Sequence, residues 1–229
     1  MNKTKWPARS VLPVAVPGIK FIILAILVSG MFFYFGWMVL AWVAAGLGIF
    51  VTWFFRDPDR LVPPGDENLV SPADGKVIIV DRSANSEYLD EPCQKVSIFM
   101  NVFNVHVNRM PFDGVVEKVE YTPGTFVNAA FDKASIHNER NAFVIRTADS
   151  QRFVMVQIAG LVARRIVNAA TAGQRVVRGE RYGMIQFGSR LDLYLPMDFQ
   201  VQVKKGDKTQ GGVTIIGQMP IITPEPHNP

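Results

Sequence analysis

The sequence predicts a mainly β protein of the β-rich α+β class, in which a single soluble domain follows an N-terminal hydrophobic helical membrane hairpin. Two observations carry this prediction. No charged residue occurs from Phe21 to Phe55, and beyond residue 65 the chain is a series of short β-type runs separated by turn residues. A length of 229 residues leaves room for one sizeable core and such an appendage. We therefore expect residues 1–55 to be the membrane anchor, 56–65 a linker and 66–229 the β-rich domain.

The uncharged run is well beyond the roughly 20 residues of one membrane helix. Basic residues flank it on both sides, at Lys3, Lys5, Arg9, Lys20, Arg56 and Arg60. Since positive charge favours the cytoplasmic side, a single span places basic flanks on both sides of the membrane. Helices over Lys20–Phe35 and Met38–Phe55, turning near Gly36 and Trp37, avoid this conflict. A single span and a re-entrant insertion stay open, whereas a cleaved signal peptide fits less well. The domain is then expected on the cytoplasmic side of the cell inner membrane.

Composition excludes several kinds of site. Cys93 is the one cysteine, so no intrachain disulfide can form, and the three His are scattered without metal-ligand spacing. We therefore expect no metal. The net charge of +4 and the pI near 9.3 arise partly in the flanks of the apolar run, so an anionic membrane surface is the expected partner and nucleic acid is not. A homo-oligomer is left open.

The β-type runs share short length and flanking turn residues. They are Lys76–Val80, Lys95–Phe99, Val105–Arg109, Gly114–Tyr121, Ala142–Thr147, Arg152–Ile158, Gln174–Val177, Gly183–Phe187, Leu191–Tyr194, Gln200–Val203 and Gly212–Ile216. Leu161–Ala170 is compatible with a strand or a short helix, because a short apolar run does not settle the period.

Three segments carry groups suited to catalysis. Ser189 follows Gly188, and a hydroxyl at this position can attack the preceding carbonyl because Gly adds no side chain and tolerates a strained backbone. Strand alternation places His106 on a polar face, with Val105 and Val107 on the other. Asp74 opens a strand after a Pro-Ala step. Each group alone is equally compatible with a turn or a structural hydrogen bond, but together they form a potential nucleophile, base and orienting carboxylate.

Six segments, in this order, resemble a short-form phosphatidylserine decarboxylase proenzyme. They are Phe55-Arg56-Asp57-Pro58-Asp59-Arg60, Ser71-Pro72-Ala73-Asp74-Gly75, Phe103-Asn104-Val105-His106-Val107-Asn108-Arg109, Asn138-Glu139-Arg140-Asn141, Gln157-Ile158-Ala159-Gly160-Leu161-Val162-Ala163-Arg164-Arg165-Ile166 and Phe187-Gly188-Ser189-Arg190. The resemblance runs from Phe55 to about Gly217. It implies a pyruvoyl-dependent enzyme that converts phosphatidylserine to phosphatidylethanolamine and carbon dioxide, and a β-rich domain docked on the membrane.

The resemblance also implies self-cleavage between Gly188 and Ser189 into a β chain, 1–188, and an α chain, 189–229, which form a heterodimer. Ser189 is then the precursor of the pyruvoyl group. Asp74 would hold His106, and His106 would take the Ser189 proton and later protonate the product.

Further residues are weaker candidates for substrate binding. Arg164 and Arg165 carry guanidinium groups that match the geometry of a lipid phosphate, although adjacent residues on a strand face opposite ways. His137 is a second candidate acid beside the Asn138-Glu139-Arg140-Asn141 segment. Longer relatives carry a second His where this chain has Arg109, so His106 is expected to serve both roles.

Two other functions remain as alternatives. A membrane-anchored serine hydrolase could use Asp74, His106 and Ser189 without self-cleavage, but Gly188-Ser189-Arg190 lacks the Gly-x-Ser-x-Gly spacing of a nucleophile elbow. A non-enzymatic, membrane-tethered β-rich adapter would use the Gly-Ser step only as a turn.

Overall fold

The computed structural model describes residues 12–125, 129, 137–160, 166–186 and 188–219. Two helices come first, α1 (Val16–Tyr34) and α2 (Met38–Phe54). The strands are β1 (Asn68–Val70), β2 (Gly75–Ala84), β3 (Cys93–Met100), β4 (Val107–Arg109), β5 (Gly114–Thr122), β6 (Arg140–Arg146), β7 (Arg152–Ala159), β8 (Ile166–Asn168), β9 (Arg175–Val176), β10 (Arg181–Ile185), β11 (Ser189–Leu195), β12 (Gln200–Val201), β13 (Lys208–Thr209) and β14 (Ile215–Gln218). Strand accounts for 40% of the described residues and helix for 19%, which confirms the mainly β prediction.

An eight-stranded antiparallel sheet forms the body of the domain. Its order is β13-β2-β3-β11-β7-β6-β5-β9, and β11 is hydrogen bonded to β3 on one edge and to β7 on the other. Leu191 and Leu193 point into the main core, together with apolar residues of the three-stranded sheets β1-β14-β12 and β4-β10-β8. Tyr194 points into a second apolar cluster on the opposite face. Strand alternation therefore gives the two faces of β11 different surroundings.

The predicted runs are present as strands whose ends differ by a few residues. The run Gly212–Ile216 is the least accurate, because the chain turns at Gly212, which has φ +75°, and β14 begins only at Ile215. The ambiguous run Leu161–Ala170 contains β8, while residues 161–165 lie outside the described part of the chain. The strands β1 and β13 were not predicted, since two or three residues are too few to show alternation.

The two helices form an antiparallel hairpin, as predicted. Ser29 Oγ donates to the Ala41 carbonyl at 3.0 Å, and a Cβ on Gly48 would lie 3.1 Å from the Ala25 Cβ, so the helices are in close contact. α1 begins at Val16, earlier than predicted, because Pro17 is pre-organised for the first turn of a helix. Within the described residues α1 alone is long and apolar enough to cross a membrane, with mean hydropathy 2.2, and α2 is a shorter apolar helix.

The base of the hairpin is buried against the β-rich domain. Phe54 and Phe55 pack with Val105, Val107 and Met184 in one apolar cluster. The Ala15 amide donates to the Phe55 carbonyl at 2.7 Å and so closes the two ends of the hairpin together. The hairpin is therefore packed on the domain as well as joined to it by the chain.

The segment 56–65, which was predicted to be a linker, is held on the domain by ion pairs and hydrogen bonds. Asp57 is 2% exposed and accepts from Arg181 Nε at 2.7 Å, with Arg109 Nη2 at 3.5 Å. Arg109 also donates to the carbonyls of Pro58 and Gly179. The pKa of Arg109 is lowered to about 10. Burial is the largest cause, and the positive charge of the neighbouring Arg181 is the second. Asp57 is thus the carboxylate that allows two arginines to be buried side by side.

Asp57→Ala is expected to destabilise the protein by about 3–5 kcal/mol, because it leaves two buried guanidinium groups without their shared counter-charge. The free energy of unfolding can be measured by urea titration in a mild detergent. Asp59→Ala is the matched control. Asp59 lies 2.6 Å from Arg181 Nη2, but its side chain is 69% exposed, so a loss of about 1 kcal/mol or less is expected. Equal losses in the two variants would contradict the assignment of Asp57 as the buried counter-charge.

Candidate active site

Ser189 is fully buried at the first position of the central strand β11. It pairs with Met100 of β3 and with Ala159 of β7, and all three face the main core. Its Oγ lies 3.9 Å from the Met100 Sδ. The next residue, Arg190, points to the other face of the sheet, where it donates to Asp192 and Ser97. The hydroxyl therefore sits in an apolar setting, away from the charged groups of its own strand.

Gly188, the residue before Ser189, adopts a backbone conformation that favours glycine. Gly188 has φ +66°, a left-handed conformation that L side chains rarely adopt. A Cβ on Gly160 would lie 2.1 Å from the Gly188 carbonyl oxygen. Gly160 thus leaves the space in which this carbonyl rests, and the carbonyl is held at the end of β7, beside the strand that carries Ser189.

His106 is buried between the base of the hairpin and the turn after β3. Its ring stacks on Phe54 with centroids 4.5 Å apart, and Nε2 lies 3.0 Å from the Asn101 carbonyl. Since a carbonyl only accepts, Nε2 carries the proton in the neutral ring and the lone pair is on Nδ1. Nδ1 has no hydrogen-bond partner of acceptable geometry among the described residues. No described donor therefore engages the Nδ1 lone pair, although the Ile185 backbone also acts on the ring.

Burial keeps this imidazole neutral at ordinary pH. Desolvation is the main cause that lowers the pKa of His106 from 6.5 to about 4, and the positive charge of Arg56 adds to it. The backbones of Ile185 and Asn101 and the charge of Asp74 oppose the shift without cancelling it. The sequence predicts a polar face for His106. The structure shows that Phe54, far away in sequence, covers this face.

Asp74 lies near His106 but is hydrogen bonded elsewhere. Both of its carboxylate oxygens accept from Arg60, and Oδ1 also accepts from the Gly211 amide at 2.8 Å. The structure gives no hydrogen bond between Asp74 and His106 among the described residues; the group that orients the ring is the Asn101 carbonyl. Asp74 acts on the imidazole only as a negative charge.

Comparison with known proteins identifies the family of this arrangement. The family model of phosphatidylserine decarboxylase matches residues 47–217. The chain belongs to the phosphatidylserine decarboxylase family. A phosphatidylserine decarboxylase proenzyme of Syntrophus aciditrophicus is 48% identical over 207 residues, covering 89% of this chain and 96% of the relative. One of Geotalea daltonii is 46% identical over 205 residues, covering 90% and 96%, and one of Ralstonia pickettii is 49% identical over 185 residues, covering 81% and 84%.

In this member of the decarboxylase family, buried amides that were not predicted from the sequence lie near Met100 and on the face of the sheet that Ser189 occupies. Asn108 Nδ2 is 3.6 Å from the Met100 Sδ that contacts Ser189, and Gln157 Nε2 donates to Asn108 Oδ1 at 2.8 Å. Gln157 Oε1 and Asn141 Nδ2 are buried without a hydrogen-bond partner in the described chain. The signal was present in the sequence, since Gln157 is a polar residue on the core face of an otherwise apolar run. These amides provide one unused donor and one unused acceptor on the face of the sheet that Ser189 occupies.

The remaining candidates are an exposed histidine and two arginines that cannot be placed. His137 is exposed, and its carbonyl accepts from the Thr125 amide at 2.7 Å. Arg164 and Arg165 lie outside the described residues. The described part of the chain contains no group of three or more His, Cys, Asp or Glu side chains that could hold a metal ion.

Gly160→Ala is expected to slow any reaction at the Gly188 carbonyl by at least about tenfold, because a methyl group at 2.1 Å must displace the carbonyl oxygen from its place. The measurement is the rate at which freshly synthesised chain is cut at residue 188, followed by gel electrophoresis. Gly46→Ala is the control, since its methyl group would meet no atom within 4 Å. Cleavage of the Gly160→Ala chain at the normal rate would show that the carbonyl does not depend on this contact.

Proposed function

We propose that the chain is a self-processing proenzyme that cuts its own Gly188–Ser189 bond and then decarboxylates phosphatidylserine to phosphatidylethanolamine. The observation that carries the proposal is the buried Ser189 hydroxyl, which directly follows a left-handed Gly188 whose carbonyl rests on Gly160. Family membership supports the substrate, because the curated relatives are named phosphatidylserine decarboxylase proenzymes. It also favours this activity over the serine hydrolase and the adapter.

The residues suggest how the cut proceeds. His106 Nδ1 takes the proton of the Ser189 hydroxyl, and Oγ adds to the Gly188 carbonyl carbon. The Ser189 nitrogen leaves that carbon and takes up the proton, so an ester replaces the peptide bond. Loss of the Ser189 α-proton then expels Gly188 as a carboxylate, and water converts the resulting double bond and amine into a ketone and ammonia. The products are residues 1–188 and a chain 189–229 that begins with a pyruvoyl group.

No hydrogen bond among the described residues joins His106 to Ser189, and the connection between them runs through the end of β3. His106 is hydrogen bonded to Asn101, and Asn101 follows Met100, the cross-strand partner of Ser189. A neutral ring with a free Nδ1 is the form that accepts a proton, and the lowered pKa keeps it in that form at pH 7. Asp74 supports the ring electrostatically, through its charge, while it holds Arg60.

The site fits a pyruvoyl group at residue 189. Buried polar atoms without a partner among the described residues support such a group: Asn141 Nδ2 is a donor, and Gln157 Oε1 and His106 Nδ1 are acceptors. A pyruvoyl group supplies an electrophilic carbonyl that takes up the electron pair left behind when carbon dioxide departs. The chain's own part is to exclude water with Met100 and Phe54, and to move a proton at His106 Nδ1, which would take it from the incoming ammonium group of the substrate and pass it to the substrate carbon.

Anchoring of β11 explains how the new end would stay in place after the cut. Arg190 donates to both carboxylate oxygens of Asp192, at 2.6 and 3.1 Å, and to Ser97 Oγ at 3.0 Å. Lys95 lies 3.2 Å from the same carboxylate. Together with the hydrogen bonds to β3 and β7, these contacts fix the register of the strand one residue beyond Ser189. The two chains would therefore remain a heterodimer.

The hairpin supports a location at the cell inner membrane, with the domain on its cytoplasmic side. The tip of the hairpin exposes Tyr34 and Trp37, as expected for aromatic residues at a membrane interface. At 1.5 Å per residue, α1 is about 28 Å long, close to the roughly 30 Å of a hydrocarbon core. Arg164, Arg165 and His137 stay as proposed contacts to the phosphate and headgroup of the substrate.

Mass spectrometry of the purified wild-type protein tests the proposal. We expect a fragment with the mass of residues 189–229 in which Ser189 has become a ketone, and release of carbon dioxide from phosphatidylserine. An intact chain that hydrolyses esters would instead identify a serine hydrolase. An intact chain that does neither would identify an adapter.

A further inference from the structure

A tight turn beside the base of the hairpin displays an aromatic side chain to the outside. The turn, Asn101–Asn104, is held by its own polar groups: the Asn101 amide donates to Asn104 Oδ1 at 2.9 Å, and the Phe103 amide donates to Asn101 Oδ1 at 2.8 Å. Phe103 at its tip is 64% exposed. Exposing a large apolar ring to water is unfavourable, and moving the ring into an apolar phase lowers the free energy.

Phe103 is continuous with the end of α2. Its ring centroid lies 5.9 Å from that of Trp53, in the last turn of the helix. Arg56 ties the two together: Nη2 donates to the Phe103 carbonyl at 2.7 Å, Nη1 donates to the Trp53 carbonyl at 2.9 Å, and the guanidinium lies 4.0 Å from the Trp53 ring centroid. Phe103 and Trp53 are therefore held side by side at the same level of the molecule.

The charges around this level suit an anionic lipid surface. Arg56 carries one positive charge there, and Lys20, near the start of α1, carries a second, with its Nζ 4.8 Å from the Phe21 ring centroid. Phe21 stacks on Phe55, so Lys20 belongs to the base of the hairpin. Basic side chains beside exposed aromatic rings are typical of segments that lie at the headgroup level of a membrane.

We propose that the turn Asn101–Asn104 is a second membrane contact, in which Phe103 inserts beside Trp53 at the headgroup and acyl boundary. The inference rests on the proposed insertion of the hairpin and adds a contact from the β-rich domain itself. It has a consequence for the site, because the Asn101 carbonyl of the same turn accepts from His106 Nε2. The bilayer would thus steady the turn that orients the imidazole and hold the site at the depth of the lipid headgroup.

The depth of Phe103 can be measured with a fluorescent label in vesicles of phosphatidylglycerol and phosphatidylcholine. Cys93 is the only cysteine and is buried, so Phe103→Cys offers the reactive thiol in the full chain. Met197→Cys is the matched control: Met197 is 52% exposed and follows the far end of β11, about 20 Å of strand away from Ser189. Trp42→Cys, on the exposed side of α2, reports insertion of the hairpin.

We expect lipids with nitroxide groups near the headgroup to quench the label at residue 103 and not the label at 197. Quenching at 42 without quenching at 103 would overturn the proposal and leave hairpin insertion intact. Quenching at none of the three would overturn both. Quenching at 103 only when another protein is added would assign the surface to a protein partner and also overturn the proposal.

Turnover gives an independent readout. Phe103→Ser is expected to lower turnover on bilayer phosphatidylserine by about tenfold relative to turnover on a water-soluble short-chain phosphatidylserine, the order expected for removing one buried Phe side chain. Met197→Ser should leave this ratio unchanged. Rates are expressed per ketone group, counted by reaction with a hydrazine, so that uncut chains do not affect the comparison. Equal losses on both substrates would contradict a membrane role, and absence of ketone in the wild-type protein would contradict the proposed function instead.

Discussion

Ser189→Ala is expected to give a single full-length chain that contains no ketone and releases no carbon dioxide from phosphatidylserine. The substitution removes the only atom of residue 189 that can attack the Gly188 carbonyl. It costs the fold little, because Oγ makes only a 3.9 Å contact with Met100 Sδ among the described residues. The loss is total, since without cleavage the group that reacts with substrate does not form.

A buried serine elsewhere in the domain provides the control for Ser189→Ala. Ser71 is fully buried and donates to the Ala73 carbonyl at 2.7 Å. Ser71→Ala should lose about 1 kcal/mol of stability and still be cut. Gel electrophoresis, hydrazine labelling and carbon dioxide release measure the three properties separately. A Ser189→Ala chain that is still cut, or that still turns over substrate, would refute the pyruvoyl mechanism.

His106→Gln is expected to slow self-cleavage and to lower the decarboxylation rate of whatever cleaved protein accumulates by about 10²–10⁴. Gln can still donate to the Asn101 carbonyl, so the turn keeps its partner, but it offers no basic nitrogen where Nδ1 lies. Expressing the second rate per ketone group separates the two roles of the imidazole. Lys205→Gln is the control, because Lys205 is exposed in the turn before β13 and has no part in the proposed site, so both rates should stay unchanged. Normal turnover per ketone in His106→Gln would move the acid role elsewhere, with His137 the next residue to test.

The pH dependence of His106 follows from the direction of its pKa shift. The proposed cleavage needs His106 as the free base, so the cleavage rate should be level above about pH 5 and fall below about pH 4. The folded-state pKa lies below the unfolded value of 6.5, so the unfolded chain binds more protons between pH 6.5 and pH 4. Stability from this group is therefore complete above pH 6.5 and is lost as the pH falls through 4. Urea titrations should show this loss in Ser189→Ala and not in a chain that also carries His106→Gln.

The sequence was sufficient to predict those features that depend on strand alternation or on neighbouring residues. Gly188 and Ser189 are adjacent, and the hairpin is visible as an uncharged run with a Gly-Trp turn. The sequence could not show that Phe54, from the end of that run, covers His106, because alternation defines the faces of a strand but not what packs on them.

Contacts between residues far apart in sequence account for the other differences between the predictions and the structure. Asp74 was expected at His106, yet Arg60, from a segment expected to be a linker, takes its carboxylate. Gly160 was part of a family motif, and its contact with Gly188 became apparent only when β7 and β11 were paired. A buried Asp57 between two arginines is equally invisible in a sequence where charge and proline suggest an exposed tether.

The position of β11 makes denaturation of a protein cut before Ser189 difficult to reverse. A cut before Ser189 turns the central strand of the sheet into the first segment of a separate chain, and β13 and β14 of that chain also pair with strands of the other, β2 and β1. Neither piece has a complete core alone. Once denatured, the pieces must find each other in a bimolecular reaction, and the spent Gly188 carboxylate cannot restore the peptide bond. A protein cut in the proposed way would therefore depend on slow unfolding and not on reversible refolding, and its lifetime at a given temperature would be the meaningful measure of its stability.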